Sequence, residues 1–141
     1  MKRLVLNERA RVGAWVAERV GRSTPWVKDG ALGLEKDGEL VAGIVLDSFV
    51  PGVRASMHCA GTGKYWLNRD FLFACFDYAF RHCDLKVLVN YVSAENPDSL
   101  RFTKHIGFTE IARVRQGWDG KDDMVLFQLH RDDCRWLNTE V

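Results

Sequence analysis

The spacing of hydrophobic and polar residues predicts a helix followed by a β-hairpin in the first third of the chain. Apolar residues recur at helical intervals over residues 8–20, and Asn7 stands where an N-cap is expected. Two apolar runs, residues 31–36 and 39–46, flank an Asp-Gly dipeptide at residues 37–38. Because Asp-Gly accommodates two positive φ angles, the two runs are predicted to pair through a tight turn.

The middle of the chain is predicted to form two strands separated by a buried helix. A turn at residues 50–52 leads into a short strand over residues 54–60. Residues 67–82 have helical spacing and are apolar nearly all round, which is typical of a buried helix. Residues 86–92 are mostly apolar, which favours a central strand covered on both faces.

The helix signals are clearest in the segment that begins at Asn96. Asn96 is suited to the N-cap, Pro97 to the first helical position, and Asp98 to the positive end of the helix dipole. Gly107 is suited to the left-handed position that ends a helix. The segment is therefore predicted to be a short, well-delimited helix.

Two further strands are predicted near the end of the chain. Residues 109–116 and 123–130 flank a turn at Asp119-Gly120 and are expected to pair. With a short first strand, the order becomes β-α-β-β-β-α-β-α-β-β, an α/β arrangement around one mixed sheet. Because 141 residues match a typical domain and contain no repeat or linker-like stretch, we predict one domain over residues 1–141.

Composition and net charge argue against nucleic acid and membranes as binding partners of this protein. Hydrophobic residues make up 47% and charged residues 28%, as in ordinary globular proteins. The formal net charge of +1 gives no general attraction to nucleic acid or an anionic membrane. No apolar run approaches the roughly 20 residues that a membrane-spanning helix needs. We expect a cytoplasmic protein with no membrane and no nucleic-acid partner, and Arg113 and Arg115 on the solvated side of an edge strand.

The cysteine pattern predicts no metal site. The four cysteines form no Cys-x-x-Cys pair, and none has zinc-ligand spacing to another cysteine or histidine. His58 and Cys59 are adjacent on a predicted strand, so their side chains point to opposite faces. A cysteine nucleophile activated by this histidine is therefore the lesser chemical option.

The segment from Asn96 to Phe108 carries a family resemblance. It resembles the Asn-x-x-Ser-x-Arg…Gly-Phe segment of the GNAT acetyltransferase superfamily, most closely the branch of ribosomal-protein N-terminal acetyltransferases. Residues 77–80 match the end of that branch's central helix, and the likeness covers roughly residues 31–130. The ending at residues 133–137 is similar to small phage- or prophage-encoded members.

The resemblance implies a fold, an activity and a set of binding residues. The expected fold is a mixed, mostly antiparallel sheet with a splayed central strand pair and helices on both faces. The expected activity is direct transfer of an acetyl group from acetyl-CoA, as co-substrate, to an amine such as a protein N-terminus or a small amine. The implied cofactor-binding residues are Cys59, Ala60, Gly61, Gly63, Lys64, Arg69, Asn96 and Arg101.

The cofactor loop departs from the family pattern. The positions where the family has glycines before its central helix hold Lys64 and Trp66, while Gly61 and Gly63 come about three residues early. Two alternatives follow. Either the loop has a different shape, with Lys64 and Arg69 supplying charge, or cofactor binding is weakened.

The catalytic groups are also incompletely matched. The position of the family's thiolate-protonating Tyr holds Thr103, which leaves Ser99 as the candidate acid or as an ordinary helix residue bonding its own backbone. His58 is the candidate base because imidazole exchanges protons near neutral pH, although a strand histidine also often serves a neighbouring carbonyl. Glu95 and Glu110 are other candidates for the base.

A second class of function stays open from the sequence. The departures at the cofactor loop and at the acid are compatible with a catalytically silent GNAT-fold module that binds or assembles. Asp122 and Asp123 can attract a cationic acceptor or be solvated turn charges. The strand at 123–130, which we expect at the sheet edge, can form a homodimer contact together with Trp136 and Leu137, and the oligomeric state stays open.

Overall fold

The computed structural model describes residues 1–27, 29–63 and 68–139. The strands are β1 Lys2–Val5, β2 Gly30–Lys36, β3 Glu39–Val50, β4 Arg54–Gly61, β5 Val87–Ser93, β6 Thr109–Val114 and β7 Met124–His130. The helices are α1 Arg9–Val20, α2 Arg69–Asp77, continued by a π-helical turn Tyr78–His82, and α3 Pro97–His105. Two short 3-10 turns follow β7, Arg131–Asp133 and Arg135–Thr139.

All seven strands form one sheet in the order β1-β2-β3-β4-β5-β7-β6. β4 and β5 pair in parallel, and every other neighbouring pair in this order is antiparallel. The mixed, mostly antiparallel α/β sheet predicted from the sequence is therefore confirmed.

The parallel pair comes apart partway along its length. β4 and β5 are in register at Arg54 with Val87, Ala55 with Leu88 and Ser56 with Val89. Beyond these pairs, β4 continues to Gly61 while it pairs with β3, and β5 continues to Ser93 while it pairs with β7. The predicted splay between the central strands is confirmed.

Helices cover both faces of the sheet, as predicted. α1 packs on β2, β3 and β4, where Val12 and Val16 lie in one buried cluster with Val45 and Ala60. α2 packs on the opposite face, in a second cluster that includes Leu88 and Val92 of β5. Because side chains alternate along a strand, Asn90 shares this second face.

The position of α3 follows from Asn90. The Asn90 amide donates to the Thr103 hydroxyl of α3 over 3.4 Å, so α3 lies on the same face as α2. The opposite face of β5 is less covered than predicted, since Tyr91 is 39% exposed. The expectation of a strand buried on both faces is wrong there, because α1 packs over the other half of the sheet.

Turn and cap chemistry accounts for the other boundaries. Asp37 and Gly38 have φ angles of 53° and 87°, which confirms the tight hairpin turn. Gly21 ends α1 in the left-handed conformation. The expected Asn7 cap is wrong: Glu8 occupies the N-cap position without a side-chain capping bond, and its carboxylate instead lies 3.4 Å from the Arg11 guanidinium.

The central helix differs from the prediction at both ends. Asn68 caps α2, its side chain accepting from the Phe71 amide over 2.8 Å. Leu67, where the helix was predicted to begin, lies outside the described residues. The last predicted turn is π-helical, with the Cys83 amide bonded to the Tyr78 carbonyl five residues back. No helix within the described ranges is long and apolar enough to cross a membrane.

The expectation that the strand at 123–130 forms a sheet edge, on which the homodimer contact was predicted, is wrong. β7 lies between β5 and β6, so it is an interior strand, and β6 forms the sheet edge with Arg113 paired to Glu110. The Trp136 indole donates to the Ile106 carbonyl over 2.7 Å, and Leu137 is buried in the core. Their apolar surface is therefore used within the fold.

Candidate active site

A cavity of about 520 Å³ opens where β4 and β5 separate. Residues 58–61 of β4 and 90–93 of β5 line it. Because consecutive strand residues point to opposite faces, a cavity lined by four in a row on each strand passes through the sheet. Its walls on the α3 face are Asn96, Ser99, Phe102 and Thr103.

The other end of the cavity opens on the face covered by α1. Arg19 and Arg22 from the end of α1 line it there, with Trp26 from the following loop. Tyr91 and Met124 complete this side, since the register places them on the same face. Val20, Gly21 and Trp118 also line the cavity.

The splay frees backbone groups as well as space. Past the pairs formed by Ser56 and Val89, the groups on the facing edges of β4 and β5 have no ladder partner in the opposite strand. Backbone N–H and C=O groups are strong hydrogen-bonding groups that need partners when they are buried. The cavity thus offers a ligand a strand-like edge to bond with.

His58 and Asp47 form a close pair of polar side chains at this site. The His58 Nε2 atom lies 2.8 Å from Asp47 Oδ1, and both side chains are largely buried. His58 stands opposite Val45 in the β3–β4 ladder, so Asp47, two residues further along, is its diagonal neighbour on the same face. The ladder itself therefore holds the two side chains together.

The pairing fixes which imidazole nitrogen can accept a proton. Burial alone would raise the pKa of the Asp47 carboxyl, but the hydrogen bond with His58 and further contacts outweigh it and hold that pKa below its usual range. An ionised carboxylate only accepts, so His58 Nε2–H donates to it. In the neutral imidazole, Nδ1 is then the accepting nitrogen.

Trp26 and Arg22 complete this cluster. The Trp26 indole donates to Asp47 Oδ2 over 3.0 Å, and its ring lies 4.7 Å from the His58 ring. The Arg22 guanidinium lies 4.2 Å from the Trp26 ring and 3.5 Å from Asp47 Oδ2. The carboxylate is thus hydrogen-bonded to His58 and Trp26 and forms a longer ion pair with Arg22.

Sequence reasoning missed the partners of His58. The strand that carries Asp47 was predicted to end at residue 46, but β3 continues to Val50. Trp26 lies in a loop and reaches the site through contacts distant in sequence. The usable signal was the position of Asp47 directly after an apolar strand next to the strand of His58.

Ser99 and Asn96 lie together on the α3 side. The Asn96 side chain accepts from the Ser99 amide over 3.1 Å, which confirms Asn96 as the helix cap. Among the described residues, none is hydrogen-bonded to the Ser99 hydroxyl, and the role of Ser99 as an acid or as an ordinary helix residue stays a prediction. Thr103, at the family's tyrosine position, is buried and holds Asn90 instead.

Cys59, Ala60 and Gly61 line the cavity as expected for cofactor-binding residues. Burial raises the pKa of the Cys59 thiol to about 12, so the thiol stays protonated near neutral pH. A protonated thiol is a poor nucleophile. Because the Cys59 thiol is buried and points to the opposite face from His58, the site gives no support to a cysteine acyl-enzyme.

Three other predicted cofactor residues do not line the cavity. Gly63 precedes α2 with a φ of 58°, Arg69 lies exposed in the first turn of α2, and Arg101 is ion-paired with Asp98. Lys64 and Trp66 lie outside the described residues. The shape of the cofactor loop therefore stays a prediction.

The acidic candidates are engaged elsewhere or lie away from the cavity. Glu110 is bonded to Arg113, and the Asp123 carboxylate accepts from the Gln116 amide over 2.9 Å. Neither these residues nor Glu95 and Asp122 line the cavity. Across the described ranges, His, Cys, Asp and Glu side chains form no group of three that could hold a metal ion.

Comparison with known proteins gives structural matches alone. No family model and no curated protein matches the sequence. A structure named "Probable acetyltransferase" is 24% identical over 72% of this chain, with a TM-score of 0.57. This chain covers 62% of the length of that protein.

Two other solved structures match along nearly their whole length. The yncA structure from Salmonella typhimurium with its cofactor acetyl-CoA is 16% identical, covers 94% and 95% of the two chains, and has a TM-score of 0.71. The ribosomal-protein-S18-alanine N-acetyltransferase from Escherichia coli is 18% identical, covers 92% and 94%, and has a TM-score of 0.68. These matches confirm that the fold is that of GNAT acetyltransferases.

Proposed function

We propose that this chain is an N-acetyltransferase that moves an acetyl group from acetyl-CoA to an amine by direct attack. The observation that carries the proposal is the cavity through the splay. It has the His58–Asp47 pair toward one face of the sheet and Ser99 toward the other. A solved structure of the same fold contains acetyl-CoA, which supports the choice of donor.

The residues present fit acetyl-CoA at the α3 side of the cavity. The unpaired backbone edge near Cys59 and Ala60 can bond the pantetheine amides and the acyl oxygen. The first turn of α2, where the Asn68 side chain caps the Phe71 amide, is the positive end of a helix dipole, which suits a pyrophosphate. Bound there, acetyl-CoA supplies an activated acyl group.

The chain's own groups account for the proton movements. An N–C bond forms, a C–S bond breaks, and overall one proton moves from nitrogen to sulfur. His58 Nδ1 takes the proton from the amine, while Asp47 holds the ring in the required tautomer. Ser99, whose hydroxyl makes no bond to a described residue, gives its proton to the departing sulfur and regains one from solvent, while His58 releases its proton to solvent, so both groups return to their starting state.

Replacing Ser99 with alanine should lower turnover by roughly 10²-fold, because a positioned acid typically contributes at least that much. The Michaelis constant for acetyl-CoA should change little. Steady-state kinetics with one amine acceptor checks this, with Ser23→Ala as the control because Ser23 is an exposed loop residue outside the cavity. Unchanged turnover in Ser99→Ala would remove Ser99 from the mechanism.

Acetyl-CoA should stabilise the protein against heating. At a hundredfold excess over the dissociation constant, binding contributes about 2.7 kcal/mol, which corresponds to a rise in Tm of roughly 5–10 °C. Differential scanning fluorimetry measures this, with acetate plus ADP at equal concentration as the control. An unchanged Tm at millimolar acetyl-CoA would contradict the proposal and favour a silent binding module.

A further inference from the structure

The half of the cavity on the α1 face has a distinctive lining. We call it the acceptor wall, because it lies beside His58 and across the sheet from Ser99. It consists of Arg19, Arg22, Trp26, Tyr91 and Met124 on the α1 face, together with Trp118 from the β6–β7 loop, which also lines the cavity. The wall therefore combines two guanidinium groups with three aromatic rings and a thioether.

The wall contains no acid. Among the described residues that line the cavity, none is Asp or Glu. Asp47 lies behind His58, is hydrogen-bonded to His58 and Trp26, and is ion-paired with Arg22. A polycationic acceptor would bring further ammonium groups toward Arg19 and Arg22 with no carboxylate on the wall to pair with, and like charges brought together are costly.

Arg22 is held in place yet keeps donors for a ligand. Its Nε donates to the Thr24 carbonyl over 2.7 Å, and its guanidinium stacks on Trp26. Its contact with Asp47 is long, at 3.5 Å, and the side chain is 40% exposed. Since a guanidinium has five N–H donors, these contacts leave donors that can bind a carboxylate in the fork geometry arginine favours.

Arg19 is the second cation of the wall. Its guanidinium lies 3.8 Å over the Trp15 ring, and it donates to the Trp15 carbonyl over 3.2 Å. Arg19 has no contact with Asp47 among the described interactions. A substitution at Arg19 therefore leaves the contacts of Asp47, the partner of His58, intact.

The aromatic part of the wall favours an apolar body on the acceptor. Tyr91 is 39% exposed and Trp118 is 43% exposed, although both line a cavity. Exposed aromatic rings beside a cavity gain free energy when a ring or an apolar chain covers them.

We infer that the acceptor is a small amine that also carries a carboxylate and an aromatic or apolar body, with Arg22 and Arg19 binding the carboxylate. The inference rests on the proposed function, since it concerns the acceptor side of that site. Polyamines, aminoglycosides and protein N-termini are the competing acceptors.

The test compares three amines. L-Phenylalanine and phenethylamine share the ring and the amine, and phenylalanine alone has the carboxylate; spermidine represents the polycations. Binding is measured by tryptophan fluorescence and isothermal titration without acetyl-CoA, and acetyl transfer is measured separately. We expect phenylalanine to bind and react about tenfold or more better than phenethylamine, with spermidine weakest.

Two arginine variants test whether the acceptor wall causes the preference for phenylalanine over phenethylamine. Arg22→Gln and Arg19→Gln should each reduce the ratio of phenylalanine to phenethylamine affinity, mainly through weaker binding of phenylalanine. Because Arg22 also contacts Asp47, Arg22→Gln can slow both amines alike, and the ratio isolates carboxylate binding. Arg113→Gln, on the exposed edge strand outside the cavity, is the control and should leave the ratio unchanged.

The outcomes separate the two proposals. Preferred binding of spermidine or phenethylamine, or a ratio that both arginine variants leave intact, would overturn the inference about the acceptor. Transfer to spermidine would do so while supporting the acetyltransferase. Selective phenylalanine binding that depends on Arg22, without transfer from acetyl-CoA, would uphold the acceptor wall and contradict the proposed function.

Discussion

Replacing His58 with alanine should lower turnover by about 10²–10⁴-fold, the usual contribution of a positioned base. The affinity for acetyl-CoA should stay nearly unchanged, because the ring lies on the α1 face and meets the amine rather than the donor. Steady-state kinetics gives the first value, and isothermal titration with acetyl-CoA gives the second. The division between kcat and cofactor binding distinguishes a base from a residue that merely supports the cavity.

Two comparisons make this result specific. Added imidazole should restore part of the turnover of His58→Ala, because the deleted ring leaves space beside Asp47 and Trp26. His105→Ala, at the end of α3 and outside the cavity, should behave like the unchanged protein. Full activity of His58→Ala with an acceptor that the unchanged protein uses would show that His58 is not the base.

Replacing Gly13 with alanine should destabilise the protein, although helix propensity alone predicts that alanine would stabilise helix α1. A Cβ at Gly13 would lie 2.0 Å from the Trp26 carbonyl oxygen, so helix α1 or the Trp26 backbone must move. Alanine would otherwise stabilise a helix interior by about 1 kcal/mol relative to glycine. We expect a net loss of roughly 1–3 kcal/mol in the free energy of unfolding, as for other overpacked sites.

The same change should reach the active site. Moving Trp26 disturbs its contacts with Asp47 and His58, so turnover should fall together with stability. Urea unfolding measures the free energy of unfolding. Ala14→Gly is the control: Ala14 is exposed on the same helix, so this change measures the difference in helix propensity between alanine and glycine without a clash. A Gly13→Ala protein as stable as the unchanged one would mean that the close approach of Trp26 is not rigid.

Local chemistry in the sequence predicted the local structure well. Asn96, Gly107 and the Asp37-Gly38 turn act through the backbone within a few residues, so their signals need no knowledge of the rest of the fold. Asn7 and Glu8 show the limit of such signals: either residue can precede a helix, and the ion pair of Glu8 with Arg11 is a side-chain contact that the cap pattern does not contain.

The order of strands in the sheet was harder to predict. The residues of β7 alternate like those of an edge strand with one solvated face, and β7 nevertheless lies between two neighbours. Alternation reports which faces are covered and carries no information about pairing on either side. The splay between β4 and β5 was predicted from the family resemblance and not from the periodicity of the sequence.

Half of the candidate site could be found in the sequence. His58 and Ser99 were identified through their place in the resembled fold, and the structure brings both to one cavity. Asp47, Trp26 and Arg22 were missed because they join the site through a strand register, a loop and a helix end. Such contacts depend on tertiary packing, and only Asp47 had a local signal, its position directly after an apolar strand.

The most direct test of the proposed acetyltransferase follows both products of the reaction. The protein is incubated with acetyl-CoA and an amine; free CoA thiol is measured by its reaction with a disulfide reagent, and the acetylated amine by mass spectrometry. We predict equal amounts of thiol and N-acetylated amine, with the rate lowered in His58→Ala. Bound acetyl-CoA with no acetylated product across small amines, polyamines and peptide N-termini would contradict the proposed activity.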